Sequence, residues 1–249
     1  MHENRRRAES FGSSAAAYDR FRSGYPDALI DDLLATRPSN TLDVGCGTGK
    51  VAAAIASRGV RVVGVEPDER MAAVARARGV EVDVVSFEDW DSQGQLFDLV
   101  TCGHAWQWVD PLIGGPKAAS LLRQGGVIAL FWNYHVLEDS LLREFRAAYE
   151  AHAPDLSVVG QDPSGLPDAD PFRNVTSLTP GETRTYRWVR EFDANEWTGM
   201  VGTFSDHQRL GREHLTALQL ALRGIIDQHG GVISARGGTY VWAARKLPI

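Results

Sequence analysis

Between residues 41 and about 150 the apolar positions fall into two alternating patterns. Short, nearly unbroken runs occur at 41–44 (TLDV), 60–65 (VRVVGV), 80–85 (VEVDVV), 96–102 (LFDLVTC) and 126–132 (GVIALFW), each bounded by turn residues. Runs of that kind, rich in Val, Ile, Leu and Phe, predict strands covered on both faces. The segments between them carry a helical spacing. Residues 49–58 place Val51 and Ile55 four apart among alanines, and residues 68–78 open on Asp68, a good N-cap, and stop at Gly79. Residues 116–123 predict a further helix leading to Gly125-Gly126, and another spans about 27–36. Strand–helix alternation of this length predicts βαβ units and a parallel sheet.

The alternation breaks after about residue 150. Residues 152–174 are rich in proline and aspartate and have no periodicity, which predicts a long loop. Residues 183–192 (TRTYRWVREF) predict a strand. Residues 212–228 predict an amphipathic helix with Leu215, Leu218, Leu222 and Ile225 on one stripe. Residues 231–245 predict a hairpin-like strand region. The insertion at about 193–228 contains Trp197, Met200, Phe204 and His207, an apolar surface suited to a small organic ligand.

Composition narrows the class of protein. The chain has 249 residues, 43% hydrophobic and 23% charged, as expected of one globular domain spanning 1–249. A net charge of -6 argues against a protein whose main task is gripping nucleic acid. No run approaches the ~18 apolar residues of a membrane helix. The three arginines near the N-terminus are not followed by an apolar stretch, so no secretory signal is expected. Cys46 and Cys102 form neither a disulfide framework nor a metal-ligand spacing. These features predict reduced thiols, a cytoplasmic location and no bound metal.

The chemistry concentrates at TLDVGCGTGK, residues 41–50. Gly45, Gly47 and Gly49 allow close backbone approach and open a helix. The spacing G-x-G-x-G differs from the dinucleotide fingerprint G-x-G-x-x-G. Asp43, directly before the turn, disfavours a pyrophosphate and favours a cationic amine. Glu66 follows the second strand, about 20 residues after the turn, where an acid can accept both hydroxyls of a ribose. The implied ligand is a nucleoside with a free diol and an amino group.

LDVGCGTG resembles the first motif of the class I S-adenosylmethionine-dependent methyltransferases, and GVEPDERMAAVARARG matches the second. The resemblance covers residues 14 to about 135. It implies a Rossmann-like α/β fold, an open, mostly parallel seven-stranded sheet with helices on both faces, and S-adenosylmethionine as cofactor. It also implies a cofactor shell of Asp43, Gly45, Cys46, Gly47, Gly49, Glu66 and Pro67, extended by VVSFEDW. There Ser86 stands where the family often has an adenine-binding acid, so Phe87 and Glu88 are expected to serve instead.

TCGHAWQWVDP, residues 101–111, follows the fourth strand, where ligands of open parallel sheets lie. His104 is a candidate general base, or a residue that orders the loop or touches the cofactor. Trp108 is expected to pack in the core. His135, in a loop after the fifth strand, is a second candidate base. The histidine–tryptophan segment together with AYDRFRSGYP resembles small-molecule methyltransferases akin to trans-aconitate methyltransferase. That resemblance implies an N-terminal lid at about 12–26, with Tyr18 and Tyr25 facing the sulfonium and the substrate. Tyr18 and Arg22 lie four apart and share a helix face. Arg22 and Trp106 join the same substrate or lid set. The expected activity is methyl transfer to O, N, S or C of a small molecule by a monomer or homodimer, without nucleic-acid or membrane partners. The alternatives are a nucleic-acid or protein methyltransferase and a cofactor-binding protein that transfers no methyl.

Overall fold

A computed structural model describes residues 15–162 and 170–248. Residues 12–14 of the expected lid and 163–169 of the expected loop lie outside the described residues. In chain order the elements are α1 (Ala15–Phe21), α2 (Asp27–Leu34), β1 (Asn40–Val44), α3 (Lys50–Ala56), β2 (Arg61–Val65), α4 (Glu69–Ala77), β3 (Glu81–Asp83) and β4 (Phe97–Gly103). A 3-10 turn at Trp106–Trp108 follows, then α5 (Pro111–Leu121), β5 (Leu122–Val136), α6 (Asp139–His152), β6 (Glu182–Asp193), α7 (Ala194–Val201), α8 (Gly211–Gln228) and β7 (Val232–Arg245).

The strands form one seven-stranded sheet in the order β3-β2-β1-β4-β5-β7-β6. The first five pair in parallel, and β7 runs antiparallel to both β5 and β6. The sheet is therefore mostly parallel and Rossmann-like, as the alternation predicts. The chain crosses from β1 outward to β2 and β3, then back to β4 on the other side. That reversal opens a crevice at the carboxyl ends of β1 and β4.

Strand residues alternate between two buried layers. Val100, Cys102, Ile128 and Leu130 pack with Ala118, Ala119 and Leu121 of α5. Leu99, Ala129 and Phe131 pack with Leu29 and Ile30 of α2, Ile55 of α3 and Ala72 and Ala75 of α4. Burial on both faces explains the continuous apolar runs. A third cluster joins α6, α7 and α8 beside the antiparallel end through Phe145, Tyr149, Trp197, Met200, Leu218, Leu222 and Ile226.

Four expectations need correction. The fifth strand runs from Leu122 to Val136, so His135 lies inside a strand and not in a loop. Within 231–245, Val232–Arg245 form one strand, not a hairpin. Gly237 and Gly238 there make no turn: a Cβ on Gly237 would meet the Trp188 ring, and one on Gly238 would meet Tyr134. The helix expected at 116–123 starts at Pro111 with the Asp110 side chain capping Leu112 N–H, and it absorbs Pro116. The strand expected at 80–85 is confined to Glu81–Asp83. The described part of 152–174 packs inward in places, with Phe172 buried against Trp106 and Trp242. Among the described residues no helix is long and apolar enough to cross a membrane.

Candidate functional site

Asp43 sits near the end of β1, paired in register with Gly64 of β2 and Thr101 of β4. It is only 1% exposed, and its Oδ1 accepts a hydrogen bond from Thr101 Oγ1 at 2.8 Å. Its Oδ2 is buried with no protein partner. Burial pushes the carboxyl up to about 7, although the Thr101 bond and the backbone N–H of Ala52 at the start of α3 pull the other way. A buried acceptor left open beside a glycine turn is a place for a donor from a ligand.

The turn itself bends through three left-handed glycines, Gly45, Gly47 and Gly49. At Gly45 a Cβ would collide with Ala105, so the bare backbone is required sterically as well as conformationally. Gly47 N–H donates to Glu66 Oε2 at 2.9 Å, and Asp68 N–H donates to Oε1 at 3.0 Å. Glu66 thus ties the first turn to the start of α4, with one lone pair on each oxygen still open. Burial raises this carboxyl to about 7 as well.

A cavity of ≈ 270 Å³ opens between Glu66, the glycine turn and the segments after β3 and β4. Its walls include Gly45, Gly47, Glu66, Pro67, Met71, Ser86, Phe87, Glu88, Asp89, His104 and Trp108. Ser86 Oγ donates to Asp89 Oδ2 at 2.7 Å, and Glu88 Oε1 accepts from Asp110 N–H at 2.7 Å. Phe87 is buried at the wall.

A smaller cavity of ≈ 50 Å³ adjoins it across Tyr18, Gly45, Gly47, Gly103 and His104. It is closed by Arg22 and Tyr25 from the N-terminal segment, by Asn133 and His135 from β5, and by Met200 and Phe204 from the 193–228 insertion. Cys46 also reaches this cavity, and Asp43 borders it. The α1 helix is held in place at several points. Asp19 takes Arg78 at 2.7 Å and accepts Lys50 Nζ through its carbonyl at 2.7 Å, while Arg22 Nε donates to Thr203 Oγ1 at 2.8 Å.

Both candidate histidines lie at this second cavity, and both are neutral. His104 has a left-handed backbone (φ 56), and its Nε2 accepts the backbone N–H of Asn133 at 2.7 Å. A backbone N–H can only donate, so the proton of His104 resides on Nδ1. Burial first, then Arg22, lowers its basicity to about 3. His135 is packed edge-on against Trp188, Phe192 and Trp197, and burial with Arg22 and Arg190 lowers it to about 4. Its Nε2 has no protein partner.

Two expected residues lie off these cavities. Gly49 caps α3, and its missing Cβ admits Ala75 of α4; it lines neither cavity. Trp106 is buried in the core against Phe172, whereas Trp108 lines the larger cavity, the reverse of the expectation. The two indoles are two residues apart in a 3-10 turn and so face different ways. No described residue of 152–174 lines either cavity. Thr101, Thr203, Asp89 and Met71 were not singled out from the sequence. Of these only Thr101 carried a local signal, a hydroxyl in an otherwise apolar run.

The fold and the two acids define an α/β domain with two buried carboxyls beside a glycine turn at the carboxyl end of its sheet. Residues 18–204 match a family described as a methyltransferase domain, and the chain belongs to that family. An uncharacterized methyltransferase of Mycobacterium tuberculosis is 39% identical over 126 residues, 50% of this chain and 52% of that protein. The ubiquinone biosynthesis O-methyltransferase of Alkalilimnicola ehrlichii is 31% identical over 160 residues, 61% of this chain and 59% of that protein. The chain thus spans about half the length of the first curated relatives it matches. Among solved structures, a chain from Anaeromyxobacter dehalogenans superposes with a TM-score of 0.67 at 22% identity, covering 92% of this chain and 100% of its own. Phosphoethanolamine N-methyltransferase 2 of Haemonchus contortus superposes at 0.54 with 16% identity, covering 95% of this chain and 58% of its own. At these identities both structures speak for the fold.

Glu66→Ala removes the acceptor at the larger cavity. It is expected to weaken S-adenosylhomocysteine binding by ~1.5–3 kcal/mol, since a charged hydrogen-bond acceptor is lost. Calorimetry on folded variant protein checks this. Unchanged affinity would place the ribose elsewhere.

Proposed function

We propose that the protein transfers a methyl group from S-adenosylmethionine to a small-molecule acceptor. The observation that carries this reading is the open Oδ2 of Asp43, buried beside a glycine turn that Glu66 braces. A cationic amine answers the first and a ribose diol the open lone pairs of the second. The donor supplies a methyl on a sulfonium, already an electrophile. Asp43 then binds the amino group, Glu66 the ribose, and the wall at Ser86, Phe87 and Glu88 the base. Tyr18 borders both cavities, and Tyr25 and Arg22 close the smaller one and exclude water there. Holding acceptor and donor in line can supply ~7–11 kcal/mol of the barrier. The segment from α1 to Tyr25 acts as the lid, and the 193–228 insertion shapes the acceptor end.

His104 serves in this reading as a fixed Nδ1–H donor that orients the acceptor. Its Nε2 is engaged and its basicity is far below that of a group working near pH 7. A general base typically contributes ~10²–10⁴-fold. His104→Asn is therefore expected to slow transfer by less than ~100-fold and to leave the kcat profile flat from pH 6 to 8. A histidine-like limb in the wild type that vanishes in the variant would restore the base assignment.

Single-turnover incubation with methyl-labelled S-adenosylmethionine and a panel of small acids, amines, phenols and thiols tests the activity. The expected result is labelled product with stoichiometric S-adenosylhomocysteine. Failure to bind either cofactor form would overturn the reading.

A further inference from the structure

We infer that the buried network Tyr149–His207–Asp206 is a positioning device: it seats Arg22 for the carboxylate at the amino-acid end of the methyl donor. This rests on the methyl-transfer reading and adds to it residues that line neither cavity.

The network crosses an otherwise apolar cluster. Tyr149 of α6 is 2% exposed, and His207, which opens a 3-10 turn at His207–Leu210, is 1% exposed. The Tyr149 hydroxyl lies 2.8 Å from His207 Nε2, and His207 Nδ1 lies 2.8 Å from Asp206 Oδ1. The backbone N–H of Val159 donates to the Tyr149 oxygen. That leaves the phenol proton for Nε2 and places the ring proton on Nδ1, toward Asp206. Asp206 Oδ1 also accepts the backbone N–H of His207 at 2.9 Å. Both ring nitrogens are answered, so the imidazole has one orientation.

That orientation supports the segment from Gly202 to Asp206, between α7 and the 3-10 turn. The backbone bonds of Thr203 and Phe204 are local, to Met200, Val201 and Gln208. Local bonds shape the segment but do not hold it against the rest of the fold. The Phe204 ring packs on His207 with centroids 5.5 Å apart, and the Arg22 guanidinium lies over the same ring, 3.7 Å from its centroid. Thr203 takes the edge of the guanidinium. Arg22 Nε donates to Thr203 Oγ1 at 2.8 Å, and a terminal nitrogen donates to Thr203 O at 3.5 Å. A stacked, planar fork tolerates little displacement of its seat. The field of Asp206 also reaches Arg22, while its Oδ1 is spent on His207.

Arg22 and Asp43 border the same cavity. The donor carries its carboxylate on the carbon that bears the amine assigned to Asp43, so the guanidinium is placed to meet that carboxylate. The route from Tyr149 to the donor then runs in series through His207, Phe204 and Arg22. Disturbing its far end should be felt at the amino-acid end of the donor and not at the nucleoside.

The test uses the full chain and two probes, S-adenosylhomocysteine and methylthioadenosine, which keeps the nucleoside and sulfur but lacks the amino acid. Calorimetry compares wild type, Tyr149→Phe, His207→Phe, Arg22→Met and the Tyr149→Phe/Arg22→Met double variant. Tyr149→Phe and His207→Phe are expected to weaken S-adenosylhomocysteine by about threefold to tenfold, the worth of one hydrogen bond, and to leave methylthioadenosine within about twofold. In the Arg22→Met background, Tyr149→Phe should add nothing, because residues acting in series are not additive. Equal weakening of both probes would reduce the network to general packing and overturn the assignment. So would an unchanged affinity in both single variants, or a Tyr149→Phe effect that persists in full without Arg22. Tyr149→Phe removes one oxygen and keeps the ring, so it decides the matter if His207→Phe does not fold. Wild type that binds no S-adenosylhomocysteine strikes the methyl-transfer reading beneath it instead.

Discussion

Asp43→Asn is expected to abolish tight binding of S-adenosylhomocysteine while leaving the fold intact. The substitution keeps the oxygen that accepts from Thr101 Oγ1 and replaces the open Oδ2 by an amide NH₂. That NH₂ then faces the cofactor's ammonium, donor against donor. Removing one partner of a buried charged pair costs ~2–5 kcal/mol, or roughly 30- to 5000-fold in affinity. The unliganded variant should melt no lower than wild type, because the carboxylate it replaces is held up near 7 by desolvation. Calorimetry and thermal melts read the two effects separately. A variant that binds within threefold of wild type would remove the amine from this site. A variant that melts far lower would make Asp43 a structural residue.

The two buried acids and the glycine turn were legible in the sequence because their arrangement is local. Asp43, the three glycines and Lys50 occupy one strand–turn–helix, and Glu66 directly follows the next strand of the same βαβ unit. Parallel pairing of neighbouring strands then forces the two acids to the same sheet end. The smaller cavity is assembled differently. Arg22 comes from just after α1, His104 from beyond β4, Asn133 and His135 from β5, and Phe204 from beyond α7. Each is legible as a residue type, but their meeting depends on how α7 docks beneath α1, with Phe21 against Gly199. No spacing in the chain encodes that contact. Thr203 shows the limit most clearly, being unremarkable in sequence yet holding the guanidinium of Arg22. The misread stretch at 231–245 has the opposite cause. Gly237 and Gly238 look like a turn in isolation, but they exist to accommodate Trp188 and Tyr134 from strands 45 or more residues away.

Cofactor affinity is expected to rise with pH between about 5 and 7 and to level above. Asp43 and Glu66 both titrate near 7 in the unliganded fold, raised by burial. In the proposed reading the amine requires the charged form of Asp43, and two ribose hydroxyls are best accepted by a charged Glu66. Each carboxylate that must lose a proton on binding adds roughly tenfold in affinity per pH unit below its pKa. The slope of log affinity against pH should therefore lie between one and two, and Asp43→Asn should lower it by about one. The unliganded protein moves the other way. Its two raised carboxyls keep protons that the unfolded chain gives up near pH 4, so the stability they contribute is complete below that pH and is lost as pH rises toward 7. Asp98, lowered to about 2 by its bonds to Ser39 and Arg123 against the burial that raises it, contributes oppositely and only in acid. Subtracting melts with and without S-adenosylhomocysteine cancels Asp98 and every other group the cofactor does not touch. The difference in melting temperature should be small at pH 5, grow through pH 6 and 7, and change little from 7.5 to 8.5. A difference that stays constant from pH 5 to 8 would mean that neither carboxylate changes charge when the cofactor binds.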